Sequence, residues 1–381
     1  MSTSVLGWWM YMLTNSKLAL GFLGLSEVIP ALSLALFAGH YIDHHEKKKT
    51  LIKCLVGYIA CIGAFAFLSS AFIEKEYHHW VIATGICLVL GFTGAIRAFS
   101  GPTMSAMLPG IVGKELLSKA VPMSSGSFLV ASIFGHAIGG FMIAWMGIHY
   151  TFFVIMLVVF IGLLVMLQLN TQPLFVNYRE KPTWSSLMEG LKYVYKTKEL
   201  LGAMALDMFA VLFGGAVAMV PVFARDILKV GPVGFGWLNA AADIGAITIV
   251  LILSIWPVRK QQGRKLFFVV AGFGICIIVF ALSRSFWLSF FALICSGLLD
   301  GISMVIRGTI LQLKTPDELR GRVMSVSTMF ISSSNELGQF ESGVAAKLLG
   351  TVPSLIFGGC MTVAVAVTTW FKAPALRKME Y

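Results

Sequence analysis

Apolar runs of about 20 residues recur down the whole chain, and no other feature constrains its fold so strongly. A helix needs about 20 mostly apolar residues to cross a hydrocarbon core roughly 30 Å thick. Inside that core every backbone donor and acceptor must find a partner within protein, which a helix supplies by itself. Eleven full spans are predicted, over 18–38, 50–72, 80–103, 120–144, 150–169, 200–222, 233–255, 265–282, 287–312, 323–348 and 354–371. Hydrophobic residues make up 57% of the chain and charged residues 12%. A soluble domain carries roughly a quarter charged residues, so this chain lacks the charge to coat a water-facing surface. The expected class is an all-α polytopic membrane protein embedded in a lipid bilayer.

Residues 1–13 are apolar but reach only about 20 Å as a helix. They read as the later part of a first helix whose beginning is missing, which gives eleven full spans plus a partial helix 1. The other reading is an interfacial segment, with Trp8, Trp9 and Tyr11 at the headgroups.

The formal net charge of +11 raises the question of a nucleic-acid partner, and the placement of the charges answers it. Most of the 29 Lys and Arg residues fall in alternate loops, 40–53, 104–119, 170–199, 257–265 and 313–322, and in the tail from 372. By the positive-inside rule those loops and the C-terminus are cytoplasmic. The excess charge is a topology and headgroup signal, and no nucleic-acid partner is expected. The six cysteines lie in apolar runs without a C-x-x-C pair, which supports neither a zinc site nor a disulfide framework. No nucleotide-binding glycine-rich loop with Lys-Ser/Thr is present. No cofactor, no metal site and no enzymatic activity are expected.

The longest polar stretch falls near the middle. It divides the chain into an N-terminal half at 1–169, a linker at 170–199, a C-terminal half at 200–372 and a tail at 373–381. Within the linker, Trp184, Leu187, Leu191 and Val194 follow helical spacing, as expected of an amphipathic helix lying along the membrane interface. Six spans, a linker and six spans is the layout of secondary transporters built from repeats. The halves echo one another: "LPGIVGKELLSKAVPMSS" follows the fourth span and "KTPDELRGRVMSVSTMF" the tenth.

Ionisable residues inside a bilayer are costly, so each is a functional candidate. Glu27, Asp243, Asp300 and Glu336 fall near mid-depth, Asp207, Arg97 and Arg307 nearer the basic side, and Glu341 further toward the other side. Asp300 and Arg307 are seven residues apart, about 10 Å along one helix face, too far for a direct pair on that spacing. Asp300 and Glu336 fall at one level of their helices and are expected to meet, with Asn335 and Gln339 as amide partners. A carboxyl there can carry a proton, as a proton-coupled carrier needs. His136, in "GHAIGG", reads as a packing or hydrogen-bonded histidine beside a small-residue face of Gly135 and Gly139.

Two histidine-rich stretches look like metal motifs when isolated. "EKEYHH", from Glu74, is read as a solvated loop. "GHYIDHHEKKK", from Gly39, lies between the second and third spans, and there the chain resembles a known family. The major facilitator signature G-x-x-x-D-(R/K)-x-G-(R/K)-(R/K) is matched by Gly39, Asp43, Lys47 and Lys48, with His44 and Glu46 departing from it. "IRAFSGPTMSAMLP", "LDMFAVLFGGAVAMVPVFARDILKVGP" and "TPDELRGRVMSVSTMFISSSNELGQFESG" resemble the bacterial enterobactin-exporter and drug-efflux branch of that superfamily.

The resemblance implies the major facilitator fold, with two six-helix halves and a central cavity lined by the first, fourth, seventh and tenth spans. Arg97, Asp207, Asp300 and Arg307 would lie at or near that cavity. It also implies an inner-membrane exporter of a small amphiphilic compound, working as a monomer and driven by protons. Gly39, Asp43, His44, Lys47 and Lys48 would form a gating loop, with His44 where a permanent cation is usual. An uptake carrier for a small metabolite, or a truncated and transport-incompetent membrane protein, are the alternatives.

Overall fold

The computed structural model describes residues 1–112, 116–169, 184–256 and 261–380. In chain order the helices of the first half are α1 (Ser2–Thr14), α2 (Lys17–His44), α3 (Lys47–Leu68), α4 (Ala71–Glu76), α5 (His79–Val112) and α6 (Leu117–Gln168). Then come α7 (Trp184–Lys196), α8 (Lys198–Phe213), α9 (Val220–Val222), α10 (Gly231–Ile255), α11 (Gln262–Leu282), α12 (Phe286–Lys314), α13 (Asp317–Leu349), α14 (Thr351–Lys372) and α15 (Pro374–Arg377). Among the described residues eight helices are long and apolar enough to cross a membrane, and the chain is an all-α polytopic membrane protein.

Several elements depart from the predicted bounds for local reasons. The spans 120–144 and 150–169 are joined through a sharp turn at Gly147, whose φ of 80° only glycine adopts without strain. Thr151 caps the turn by donating to the Gly147 carbonyl at 2.6 Å. The predicted helix over 200–222 is broken. α8 stops at Phe213, before Gly214 and Gly215, and a 3₁₀ turn, α9 and a π turn (Phe223–Ile227) carry the chain onward. Paired glycines and Pro221 deprive a helix of propensity and of a backbone donor, so interruption there is the local preference. α2 and α5 run further than predicted, to His44 and Val112, and the connection between α2 and α3 shrinks to His45 and Glu46.

The N-terminal segment is not interfacial. Trp8, Trp9 and Tyr11 are buried, Trp9 to 1% exposure, and α1 packs against α2, α5, α6 and α10. Trp9 meets Phe152 edge-on at 5.8 Å, and Phe152 stacks on Phe65 at 5.6 Å, tying α1, α3 and α6 into one core. The linker helix α7 has tertiary partners. It docks on the second half: Tyr193 donates to the Lys314 carbonyl at 2.6 Å, and Glu189 pairs with Arg322 of α13. Beside it Glu199 meets Lys314 at 3.3 Å. Its own backbone N–H first, then Lys314, holds this carboxyl below the usual carboxylate range, against the opposing effect of burial. The tail is packed too, with Leu376 fully buried.

Within each half neighbouring helices pack broadly: α2 on α5 and α3 on α5 and α6 in the first, α10 on α12 and α11 on α14 in the second. The halves meet along two seams, α2 against α13 and α6 against α10. Both seams are closed where backbones approach over glycine. A Cβ on Gly343 of α13 would lie 2.8 Å from the Gly21 Cα of α2. One on Gly236 of α10 would lie 2.9 Å from the Gly140 Cα of α6. At the basic ends of the same first-half helices, Gly39 and Gly126 have nothing within 4 Å of a Cβ position. Small residues at membrane helix crossings allow such approach and the dispersion contact it brings.

Candidate functional site

The first polar group lies in the α2–α13 seam. Arg97 of α5 directs one nitrogen, Nη1, at Glu27 Oε1 of α2 (2.7 Å) and at Glu336 Oε1 of α13 (3.0 Å). Gln339, one turn along α13, donates to the other Glu336 oxygen at 3.1 Å. Backbone packing explains why the charges converge. Gly24 lies against the Glu336 carbonyl and Gly94 against the Glu27 backbone, so each charged residue sits within a turn of a close contact. The two carboxylates are mostly buried, while Arg97 retains 47% side-chain exposure. Asn335, read as a further amide partner, is exposed.

The second group lies in the α6–α10 seam. Asp243 Oδ2 of α10 accepts from Ser132 at 2.6 Å and lies 2.8 Å from His136 Nδ1. Ser132 and His136 are one turn apart on α6, so both reach the same oxygen.

The third group lies inside the second half. Arg307 of α12 pairs with Asp207 of α8, lies 3.8 Å from Asp300 and donates from Nε to Ser303 Oγ at 3.1 Å. This corrects the reading that Asp300 and Arg307 are too far apart to pair. Helix side chains lean toward the N-terminus, and the long arginine stem spans the gap that separates the two Cα atoms. Asp300 and Glu336 do not come together as expected. Glu336 turns into the seam to Arg97, whereas Asp300 faces Arg307 with about half its side chain accessible, 51%.

A fourth group closes the rim away from the basic loops, and the sequence reading missed it. Tyr11 donates to Asp226, Arg225 donates to Asn15, and Arg225 also lies 5.5 Å over the Tyr11 ring. Asp226 and Arg225 follow the unpredicted break after α8, so no helical register pointed to them. Ser132 was missed as well, although a Ser–His pair at i, i+4 in an apolar helix was the available signal.

A cavity of about 90 Å³ lies between the two seams. Glu27 and Gln339 border it from one seam, His136 and Asn239 from the other, and Leu23 and Phe235 add apolar wall. Of the gating residues, Lys48 donates to the carbonyls of Leu167 (3.1 Å) and Leu169 (2.7 Å), closing the last turn of α6. Lys47 opens α3 and Gly39 lies within α2; the side chains of His40, Asp43 and His44 lie outside the described residues. Among the described residues no cluster of His, Cys, Asp and Glu is arranged to hold a metal ion.

Two helical halves that meet over glycine seams and bury ion pairs inside the membrane define a membrane transporter of the major facilitator fold. The family model described as transmembrane secretion effector matches residues 1–381, and the chain belongs to that family. It is 24% identical over 375 residues to the enterobactin exporter EntS of Escherichia coli O1:K1 / APEC, covering 97% of this chain and 86% of the relative. The EntS of Shigella boydii serotype 18 matches to the same extent. Among solved structures, the nucleoside transporter NupG superposes with a TM-score of 0.74 at 13% identity, over 99% of this chain and 95% of that one. A D-xylose–proton symporter gives 0.72 at 12% identity, over 100% and 98%. At those identities the likeness is one of fold.

Proposed function

We propose that this chain is a proton-coupled exporter of a small amphiphilic compound, working as a monomer by alternating access. It sits in a bacterial inner membrane with its basic loops and C-terminus in the cytoplasm. The observation that carries the reading is that Glu27, Glu336 and Asp243 all lie in the seams, two of them bonded to the opposite half. Rocking the halves apart must part Arg97 from Glu336, and a carboxylate parted from its cation inside a membrane takes up a proton or water. Export is supported by the likeness to enterobactin exporters, and orientation by the bias of Lys and Arg.

In this reading residues 1–169 and 200–372 are the moving bodies and 170–199 the linker. Asp300, Arg307 and Asp207 handle substrate or protons on the cytoplasmic side of the second half. Arg97, Glu27, Glu336, Asn335 and Asp243 do so at the seams. Gly39, Asp43, His44, Lys47 and Lys48 form the cytoplasmic gate, in which Lys48 fastens α3 to the end of α6.

The test is efflux from proteoliposomes across a panel of amphiphilic compounds under an imposed pH gradient. Efflux should accelerate when the outside is acidic, and Asp300→Asn should weaken that response by about tenfold. Efflux indifferent to the gradient would sink the proton-coupled part. An unchanged response in Asp300→Asn would remove Asp300 from it.

A further inference from the structure

We propose that Ser132, His136 and Asp243 form a proton-binding latch that holds the α6–α10 seam shut. The latch stands on geometry. α6 and α10 come from opposite halves, and they touch backbone to backbone at Gly140 and Gly236. About two turns nearer the basic end along α10, the Asp243 carboxylate accepts from Ser132 at 2.6 Å and meets His136 at 2.8 Å. Asp243 lies about 18 Å along α10 from Gly231, well inside the membrane. A carboxylate at that depth must be paired.

The ionic state of the pair decides how well the seam closes. With the imidazole protonated, Asp243 and His136 are a neutral ion pair with a charge-assisted hydrogen bond. With the imidazole neutral, one unbalanced negative charge stays between two apolar helices. Parting the halves exposes both groups to water, where the difference between these states shrinks. The protonated pair therefore suits the closed seam better than the unprotonated one. Closure is favoured at low pH and lost as pH rises, and histidine is the side chain whose ordinary titration falls in that range. The other charged group facing the pair is Glu27 of α2, across the cavity.

The step conserves protons simply. One proton binds His136 as the seam closes and leaves it toward the basic side before the seam parts, with no other bond made or broken. This rests on the alternating access proposed above and gives it a direction. A proton taken from the side away from the basic loops closes that side. Its release toward the basic side lets the seam reopen, so protons run opposite to an exported substrate.

The experiment reads conformation, not transport. Spin labels go on Glu76→Cys and Leu288→Cys, at the rim away from the basic loops on opposite halves, with the native cysteines replaced, in liposomes from pH 5.5 to 8.5. The ratio of short to long distances should fall at least about tenfold between pH 5.5 and 8.5, and no more steeply than the tenfold per pH unit that one proton allows. His136→Gln and Asp243→Asn should each flatten the change to less than about twofold. Ser132→Ala should lower the ratio at every pH and keep the response, since it loses a hydrogen bond and no charge. An undiminished response in His136→Gln, driven by another group, overturns the latch. So does opening that ignores pH in the wild type, which leaves alternating access standing. A rim that stays shut at every pH and with transported compound present removes both.

Discussion

Arg97 presents a single nitrogen to two carboxylates, at 2.7 and 3.0 Å. The consequence of removing it is therefore specific. Arg97→Gln leaves Glu27 and Glu336 facing one another without a counter-charge, and should destabilise the protein by about 1–3 kcal/mol, read by thermal unfolding in detergent. Adding Glu336→Gln removes one of the two stranded carboxylates and should restore roughly half of that loss. A double variant no more stable than Arg97→Gln alone would contradict the pairing. At this scale the candidate charges were legible in the sequence, because an ionisable residue in an apolar run stands out. Their partners were not. Position along a helix gives depth but not azimuth, and Arg307 shows that reach matters as much as spacing. Glu336 was expected beside Asp300 by depth alone, and the azimuth of α13 sends it to Arg97.

The elements were legible wherever hydrophobicity alone decides, and less so where packing does. The bounds of α3, α10 and α11 are close to those predicted, because an apolar run flanked by charge has few alternatives. α8 was read as one long helix, since Gly214, Gly215 and Pro221 leave the hydropathy of the run intact while removing its helical backbone. The pairing of α6 with α10 depends on where Gly140 and Gly236 face, and one sequence does not reveal that. The crossing makes a sharp prediction. Gly236→Val places branched carbon where a Cβ is already 2.9 Å from both the Gly140 Cα and the His136 carbonyl. It should hold the α6–α10 seam apart, lowering transport at least tenfold while the protein still inserts and purifies. Near-normal transport by Gly236→Val, measured in the same vesicles as wild type, would show that this closed crossing is not part of the cycle.

For the molecule as a whole, the bundle of two halves was foreseen from the spacing of apolar runs and the alternation of basic loops, while the docking of α7 and of the tail came only from tertiary contacts. α13 belongs to this scale as well. It is 33 residues long yet is not among the helices apolar enough to cross a membrane unaided, because "SSSNELGQFES" fills its middle. Each such charge at a helix centre opposes partition into lipid by about 2.5–3.5 kcal/mol. During synthesis α13 emerges when α2, its seam partner, has long been in place. Its entry into the bilayer is then expected to depend on handing Glu336 directly to Arg97, so biogenesis and the working seam draw on the same contact. A glycosylation reporter placed after Leu349 should report translocation in the full chain and fail in a fragment that starts at Lys198. Equal translocation from both would mean that α13 boards the membrane without its partner.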